Sequence, residues 1–142
     1  MSSSLSPYLH LENTAKEALA FYQGVFGGTI TSNTFGEYGT EGPDADLIMH
    51  GQLDTPDGYT IMMADTPSFM TAGTKGSTIT LALFGDDAET LHRHFDALAA
   101  DGGTVGTPLA KQMWGDEYGD LTDKYGIEWL CNISAPSPDT EG

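Results

Sequence analysis

The sequence predicts an α+β fold built from two copies of a β-α-β-β-β unit, whose eight strands would form one curved mixed sheet around a cleft. Three observations predict it. Two amphipathic helical stretches occur, and each ends on a Gly-Gly pair. Each is preceded by one short strand-like segment and followed by three more. The halves can also be laid over each other: Gly27-Gly28-Thr29-Ile30 matches Gly102-Gly103-Thr104-Val105, and Gly58-Tyr59-Thr60-Ile61 opens a last strand as Gly126-Ile127-Glu128-Trp129 does. A lone four-stranded unit with one helix leaves a sheet face bare, so pairing two units would bury that face and create the cleft.

The elements follow in order. Pro7 to Glu12 alternates, with Leu9 and Leu11 on one face and Tyr8 and His10 on the other. Asn13 or Thr14 is the predicted cap of a helix over Ala15 to Phe26, where Ala18, Leu19, Tyr22, Val25 and Phe26 recur at three- and four-residue steps. Thr29 to Phe35 reads as a strand, and Gly36 to Asp44 as a mobile loop by its composition. Leu47 to Leu53 and Tyr59 to Asp65 flank Asp54-Thr55-Pro56-Asp57-Gly58, a hairpin turn by its Pro and Asp-Gly. After a polar linker, Thr66 to Gly76, the pattern restarts with a strand over Ser77 to Phe84. Asp86 or Asp87 caps a second helix with the apolar stripe Ala88, Leu91, Phe95, Leu98 and Ala99. Three strands then fit Thr104 to Leu109, Tyr118 to Asp123 and Ile127 to Ile133.

At 142 residues the chain has the size of one domain, expected over 1–134 with units at about 5–66 and about 76–134, and a disordered tail over 135–142. Five Lys and Arg against 21 Asp and Glu give a net charge of −16, which repels nucleic-acid phosphates and anionic lipid. The acidity suits a high-salt setting, or simply a soluble surface. Cys131 is the single cysteine, so no internal disulfide forms. With no basic or apolar leader over Met1 to Leu5 and no run of about 18 apolar residues, the expected location is the cytoplasm.

Chemistry-bearing residues are sparse. His92 and His94, two apart on a helix, point in different directions and read as surface residues. His50 lies mid-strand, either bonded to a backbone carbonyl in the interior or facing a ligand. Cys131, in an apolar strand without a neighbouring base, reads as a buried inert thiol, Trp129 as core, and Asp65 as a turn cap. Met49, Met62, Met63 and Met113 suit either a soft lining or ordinary core filling.

Several segments together resemble the vicinal oxygen chelate superfamily of glyoxalases, extradiol dioxygenases and bleomycin-resistance proteins, and within it the PhnB-like branch. They are Ser6-Pro7-Tyr8-Leu9, Phe21-Tyr22 with Phe26-Gly27-Gly28, Met49-His50, Ile61-Met62-Met63-Ala64-Asp65, Trp114-Gly115-Asp116-Glu117-Tyr118-Gly119, and Thr122-Asp123-Lys124-Tyr125-Gly126 running to Trp129. The resemblance covers nearly the whole chain and implies a glyoxalase-like fold and a homodimer. Members of the branch have been labelled demethylubiquinone methyltransferases, but the chain lacks the glycine-rich turn after a strand that would cradle adenosylmethionine. Metal-dependent relatives place His or Glu on the first and last strands of each unit. Carried over, those positions fall near Pro7, Met62, Thr78 and Leu130, which offer no strong ligand, so no metal and no cofactor is expected. In the PhnB-like pattern Lys111 to Gly115 lines a pocket mouth, where Trp114 could stack on a ligand or plug the sheet end. The implied function is a metal-independent small-molecule binder with a pocket of His50, Met62, Gln112, Trp114 and Tyr118. The alternative is a lyase, isomerase or dioxygenase with a non-standard metal site including His50.

Overall fold

The computed structural model describes residues 4–68 and 79–135. The chain divides into two compact units, 1–74 and 75–142. The first contains β1 (Tyr8–Leu11), α1 (Ala15–Phe26), β2 (Thr29–Thr34), a 3-10 turn (Gly36–Tyr38), β3 (Ile48–Asp54) and β4 (Thr60–Asp65). The second contains β5 (Leu81–Gly85), α2 (Ala88–Ala99), β6 (Thr104–Lys111), β7 (Glu117–Thr122) and β8 (Glu128–Ile133). Each unit forms one four-stranded sheet, ordered β1-β4-β3-β2 and β5-β8-β7-β6. The first and last strands of each unit pair in parallel and the other pairs are antiparallel, so both sheets are mixed and the predicted α+β class holds. The predicted strand over Ser77 to Phe84 starts later, at Leu81, and Ser77 and Thr78 lie outside the described residues, as do most of the Thr66 to Gly76 linker and the tail from 136.

Each helix covers one face of its own sheet. In β8, Trp129, Cys131 and Ile133 are buried while Glu128, Leu130 and Asn132 alternate with them at the other face. In β4, Ile61 and Met63 are buried beside the half-buried Thr60 and Met62. Gly51 marks how closely α1 packs, because a Cβ there would come within 2.6 Å of Leu19 Cδ1. Fully buried Leu19, Tyr22, Leu53 and Met63 centre one core, with Leu98 and Cys131 fully buried in the other.

The helix starts differ from one another. Asp87 caps α2 as expected, accepting from Thr90 N at 3.1 Å, and hydrogen bonding from the Thr90 side chain and then from its backbone N–H holds the carboxyl below the usual range. Thr14 holds the cap position of α1 but makes no side-chain cap bond, and Asn13 takes φ 61°. The donor is met instead by Asp65, which is no turn cap: it is buried at the end of β4 and accepts from Ala15 N and Ile48 N, each at 2.9 Å. One carboxylate thus ties the start of α1 and the start of β3 to β4. The 36–44 loop is likewise tied, by Phe35 N to Leu47 O at 3.0 Å and Gly36 N to Ala45 O at 2.8 Å.

Replacing Asp65 tests that tie. Asp65→Ala strands two buried N–H groups at about 1–3 kcal/mol each, so a loss of about 2–6 kcal/mol in unfolding free energy is expected, with a smaller loss for Asp65→Asn, which keeps one acceptor. Denaturant unfolding of both variants measures it, and near-equal stability of Asp65→Ala and the parent would contradict the assignment.

Candidate functional site

The face of each sheet opposite its helix carries polar side chains at half-exposed positions, and the candidate residues sort by unit. In the first unit, the parallel register sets Tyr8 beside Met62, and the antiparallel register sets Met62 beside Gln52. Tyr8, not Pro7, therefore shares a face with Met62, because parallel neighbours point the same way. Pro7 contributes only its carbonyl, which accepts from Met62 N at 3.1 Å. His50 belongs to this same face: its Nδ1 lies 3.3 Å from the Tyr8 hydroxyl, and the ring of Tyr8 stands 5.9 Å from that of His50 and 5.3 Å from that of His10. Of the two readings of His50, the interior one bonded to a backbone carbonyl does not hold.

The second unit has the same geometry with different chemistry. Gly51 pairs with Met63 as Gly119 pairs with Cys131, so His50 and Tyr118 are equivalent positions, as are Gln52 and Asp120, Asp54 and Thr122, and Thr60 and Glu128. On the first unit's face one carboxylate is fully supplied with donors: Asp54 accepts from Gln52 Nε2 at 3.1 and 3.0 Å and from Thr60 Oγ1 at 3.0 Å. The second unit's face carries two carboxylates. Asp120 accepts from Thr107 N at 2.9 Å and from the Tyr118 hydroxyl at 3.1 Å. Glu128 Oε1 is buried without a hydrogen-bond partner among the described residues. Burial, then the hydrogen bond to Asp120 and its charge, raise the Tyr118 phenol above its usual value, so this hydroxyl stays a donor at neutral pH.

A cavity of about 270 Å³ opens on this second face, with Thr80, Tyr118, Asp120, Thr122, Glu128 and Leu130 in its walls and, among the described residues, neither lysine nor arginine lining it. Of the expected pocket residues only Tyr118 belongs to it. Gln112 donates to Ala110 O at 2.9 Å in the β6–β7 turn, closed by Gln112 N to Asp116 O at 2.7 Å. Trp114 is 61% exposed at the tip of that turn, with Met113 97% exposed beside it, so Trp114 is not the plug of a sheet end. Asp116 anchors the turn by accepting from Ala135 N at 2.8 Å and Asn132 Nδ2 at 3.1 Å, bonds that lower its carboxyl pKa.

The donor set offers little to a metal. Leu130 pairs with Ala82 and Met62 with Tyr8, so the first- and last-strand rows present two aliphatic groups in one unit and a thioether and a phenol in the other. Thr78 lies outside the described residues. Among the described residues no group of three or more His, Cys, Asp or Glu could hold a metal ion. His94 departs from the surface reading, being 3% exposed on the covered side of α2, where its ring takes the place of an apolar residue in the stripe. His92 is half-exposed and pairs with Glu117 Oε1 at 2.7 Å.

Glu128 and Asp120 are the residues that reading the sequence missed. A signal for Glu128 was present, since aligning Gly58-Tyr59-Thr60-Ile61 with Gly126-Ile127-Glu128-Trp129 sets an acid where the first unit has a hydroxyl. Cys131 behaves as expected: burial first, and then the charge of Glu117, push its thiol up to about 11. Near pH 8 the folded chain should therefore resist a disulfide reagent such as dithiobis-nitrobenzoate that modifies the unfolded chain completely. Rapid reaction of one thiol per folded chain would contradict this.

Known proteins bear on this geometry. Residues 9–130 match the sequence model of the Glyoxalase/Bleomycin resistance protein/Dioxygenase superfamily. The chain is 30% identical to Protein YjdN of Escherichia coli (strain K12), over 94% of this chain and 97% of that protein. It is 32% identical to the uncharacterized protein Mb0911c of Mycobacterium bovis, over 89% of this chain and 80% of the other. Among solved structures, protein PA1353 from Pseudomonas aeruginosa matches with a TM-score of 0.82 and 28% identity, covering 95% of this chain and all (100%) of that one. A PhnB protein from Bacillus cereus matches in fold with a TM-score of 0.72 at 22% identity, covering 93% and 100%.

Proposed function

The chain belongs to the glyoxalase, bleomycin resistance protein and dioxygenase superfamily, and from that premise we propose that it is a PhnB-like, metal-independent binder of small molecules. One observation carries the reading. The resemblance places the ligand positions near Pro7, Met62, Thr78 and Leu130, and among the described residues Met62 stands beside Tyr8 and Leu130 beside Ala82, which offer a Lewis acid no strong donor. The half-exposed polar groups on the same faces suit reversible binding through hydrogen bonds and stacking. His50, Met62, Gln112, Trp114 and Tyr118 are the residues assigned to binding, and the cytoplasm is the assigned location. Among the described residues no helix is long and apolar enough to cross a membrane.

Metal analysis of protein purified without chelators tests the reading. The expected content is well below one equivalent of zinc, iron or manganese per chain, with ligand-induced thermal shifts in a small-molecule collection that survive chelation. About one tightly held equivalent would overturn it and favour the alternative, a metal enzyme using His50, in which His50→Ala would lose the metal.

The proposal includes a homodimer. Each sheet ends in two edge strands, β1 and β2 in one unit and β5 and β6 in the other, whose outer backbone groups are a ready template for pairing. Sedimentation equilibrium at micromolar concentration should give twice the 15.1 kDa chain mass. A mass of one chain would refute the dimer.

A further inference from the structure

We propose that the cavity on the open face of the second unit takes a small organic cation, an ammonium-bearing molecule held by Asp120 and Glu128. The inference rests on the binder reading above and adds the chemical class of the ligand. It starts from a difference between two equivalent faces. In the first unit the carboxylate of Asp54 takes its donors from Gln52 and Thr60 on its own face. At the equivalent positions the second unit exchanges Gln52 for Asp120, Thr60 for Glu128 and Asp54 for Thr122. Two acids thus replace a donor amide and a donor hydroxyl, and the face gains one carboxylate.

Among the described residues nothing in the cavity walls compensates them with charge. Asp120 is fixed by the Thr107 N–H and the Tyr118 hydroxyl, both neutral donors, and no described basic side chain lines the space. Glu128, a half-buried residue, keeps Oε1 buried with no donor from the described residues, which leaves an acceptor for a ligand to meet. Asp120 pairs with Leu130 and Thr122 with Glu128, so the two acids lie diagonally on neighbouring strands of one face. The hydroxyls of Thr80, Thr104 and Thr122 add acceptors around them, and Leu130 gives an alkyl portion an apolar wall. At about 270 Å³ the space lies at the small end of ligand pockets, which run from about 300 to 1,000 Å³, so the cation is a small one. The net charge of −16 draws cations toward the molecule, while the two acids choose where one stays.

The test titrates the full chain with 1,4-diaminobutane in physiological salt, read by calorimetry and by amide shifts in a nitrogen-15 spectrum, beside 1,4-butanediol and magnesium chloride. Saturable diamine binding is expected, with shifts centred on β7 and β8 and none from the diol. Glu128→Gln and Asp120→Asn should each weaken binding at least about tenfold, since a hydrogen bond to a charged group is lost. Glu128→Thr installs the first unit's own residue at the equivalent place and keeps the variant series folded. Glu12→Gln, an equal charge change at an exposed position, should leave binding unchanged. Three results overturn the proposal: no saturable diamine binding, equal weakening by Glu12→Gln, or magnesium seated on β7 and β8 that the diamine cannot displace. A neutral or anionic compound bound there without any diamine response would sink the cation and leave the metal-independent binder standing. Silence from every compound at both faces would remove both.

Discussion

A twelve-residue helix can cover only one face of a four-stranded sheet, and the rest of this structure follows from that limit. Because strand side chains alternate, residues such as Ile61, Met63, Trp129 and Cys131 are committed to the covered face, where burial contributes about 1.5–3 kcal/mol for each large apolar side chain. Their neighbours Met62, Glu128 and Leu130 are committed by the same geometry to the other side. That side cannot be filled by the unit's own helix, and it is there that Tyr8, His50, Tyr118 and Asp120 stand. The candidate surface is the remainder of a packing solution.

Buried acids hold the chain to this plan. Asp65 spans three elements of the first unit, and Asp123 closes the hairpin before β8 in the second by accepting from Tyr125 N at 2.9 Å, Ile127 N at 3.1 Å and Trp129 Nε1 at 2.9 Å. At the equivalent turn of the first unit Thr55 has a single oxygen, which accepts from Tyr59 N at 3.0 Å. The carboxylate in place of the hydroxyl lets the second unit seat the indole of Trp129 in its core with the N–H satisfied, which a buried Trp requires. Acidity in this chain is therefore partly architecture.

The fold was legible because it is written in local signals. Paired glycines at helix ends, the Asp-Gly turn and the two-residue period of Tyr8 to Leu11 each act over a few residues. The start of α1 was not, because its donor is met by Asp65, 50 residues away, and no window around Asn13 and Thr14 contains it. His94 misled for a related reason: two histidines on a polar helix look alike in sequence, and only the three-residue step from Leu91 and the four-residue step to Leu98 sets one of them on the covered side. On the first strand the position carried over fell at Pro7, whereas the parallel pairing makes Tyr8 the neighbour of Met62 on one face. Of the site, the sequence carried the residue types and the missing ligands, but not which acids meet which donors.

Duplication explains why the two open faces invite comparison, and divergence between them is where function can enter. A pair of equivalent units begins with equivalent side chains, and any exchange that leaves packing intact is free to change the face alone. The exchanges of Gln52 for Asp120 and of Thr60 for Glu128 are of that kind, since both positions lie outside the covered cores and both keep their strand registers. The carboxylate of Asp54 takes its donors from its own face, whereas Glu128 Oε1 meets no donor among the described residues. The first unit carries threonine at the equivalent place, so the fold itself does not require an acid there. A positively charged ligand supplies the missing donor, and with it a reason for two acids to stand together on a face that needed neither to fold.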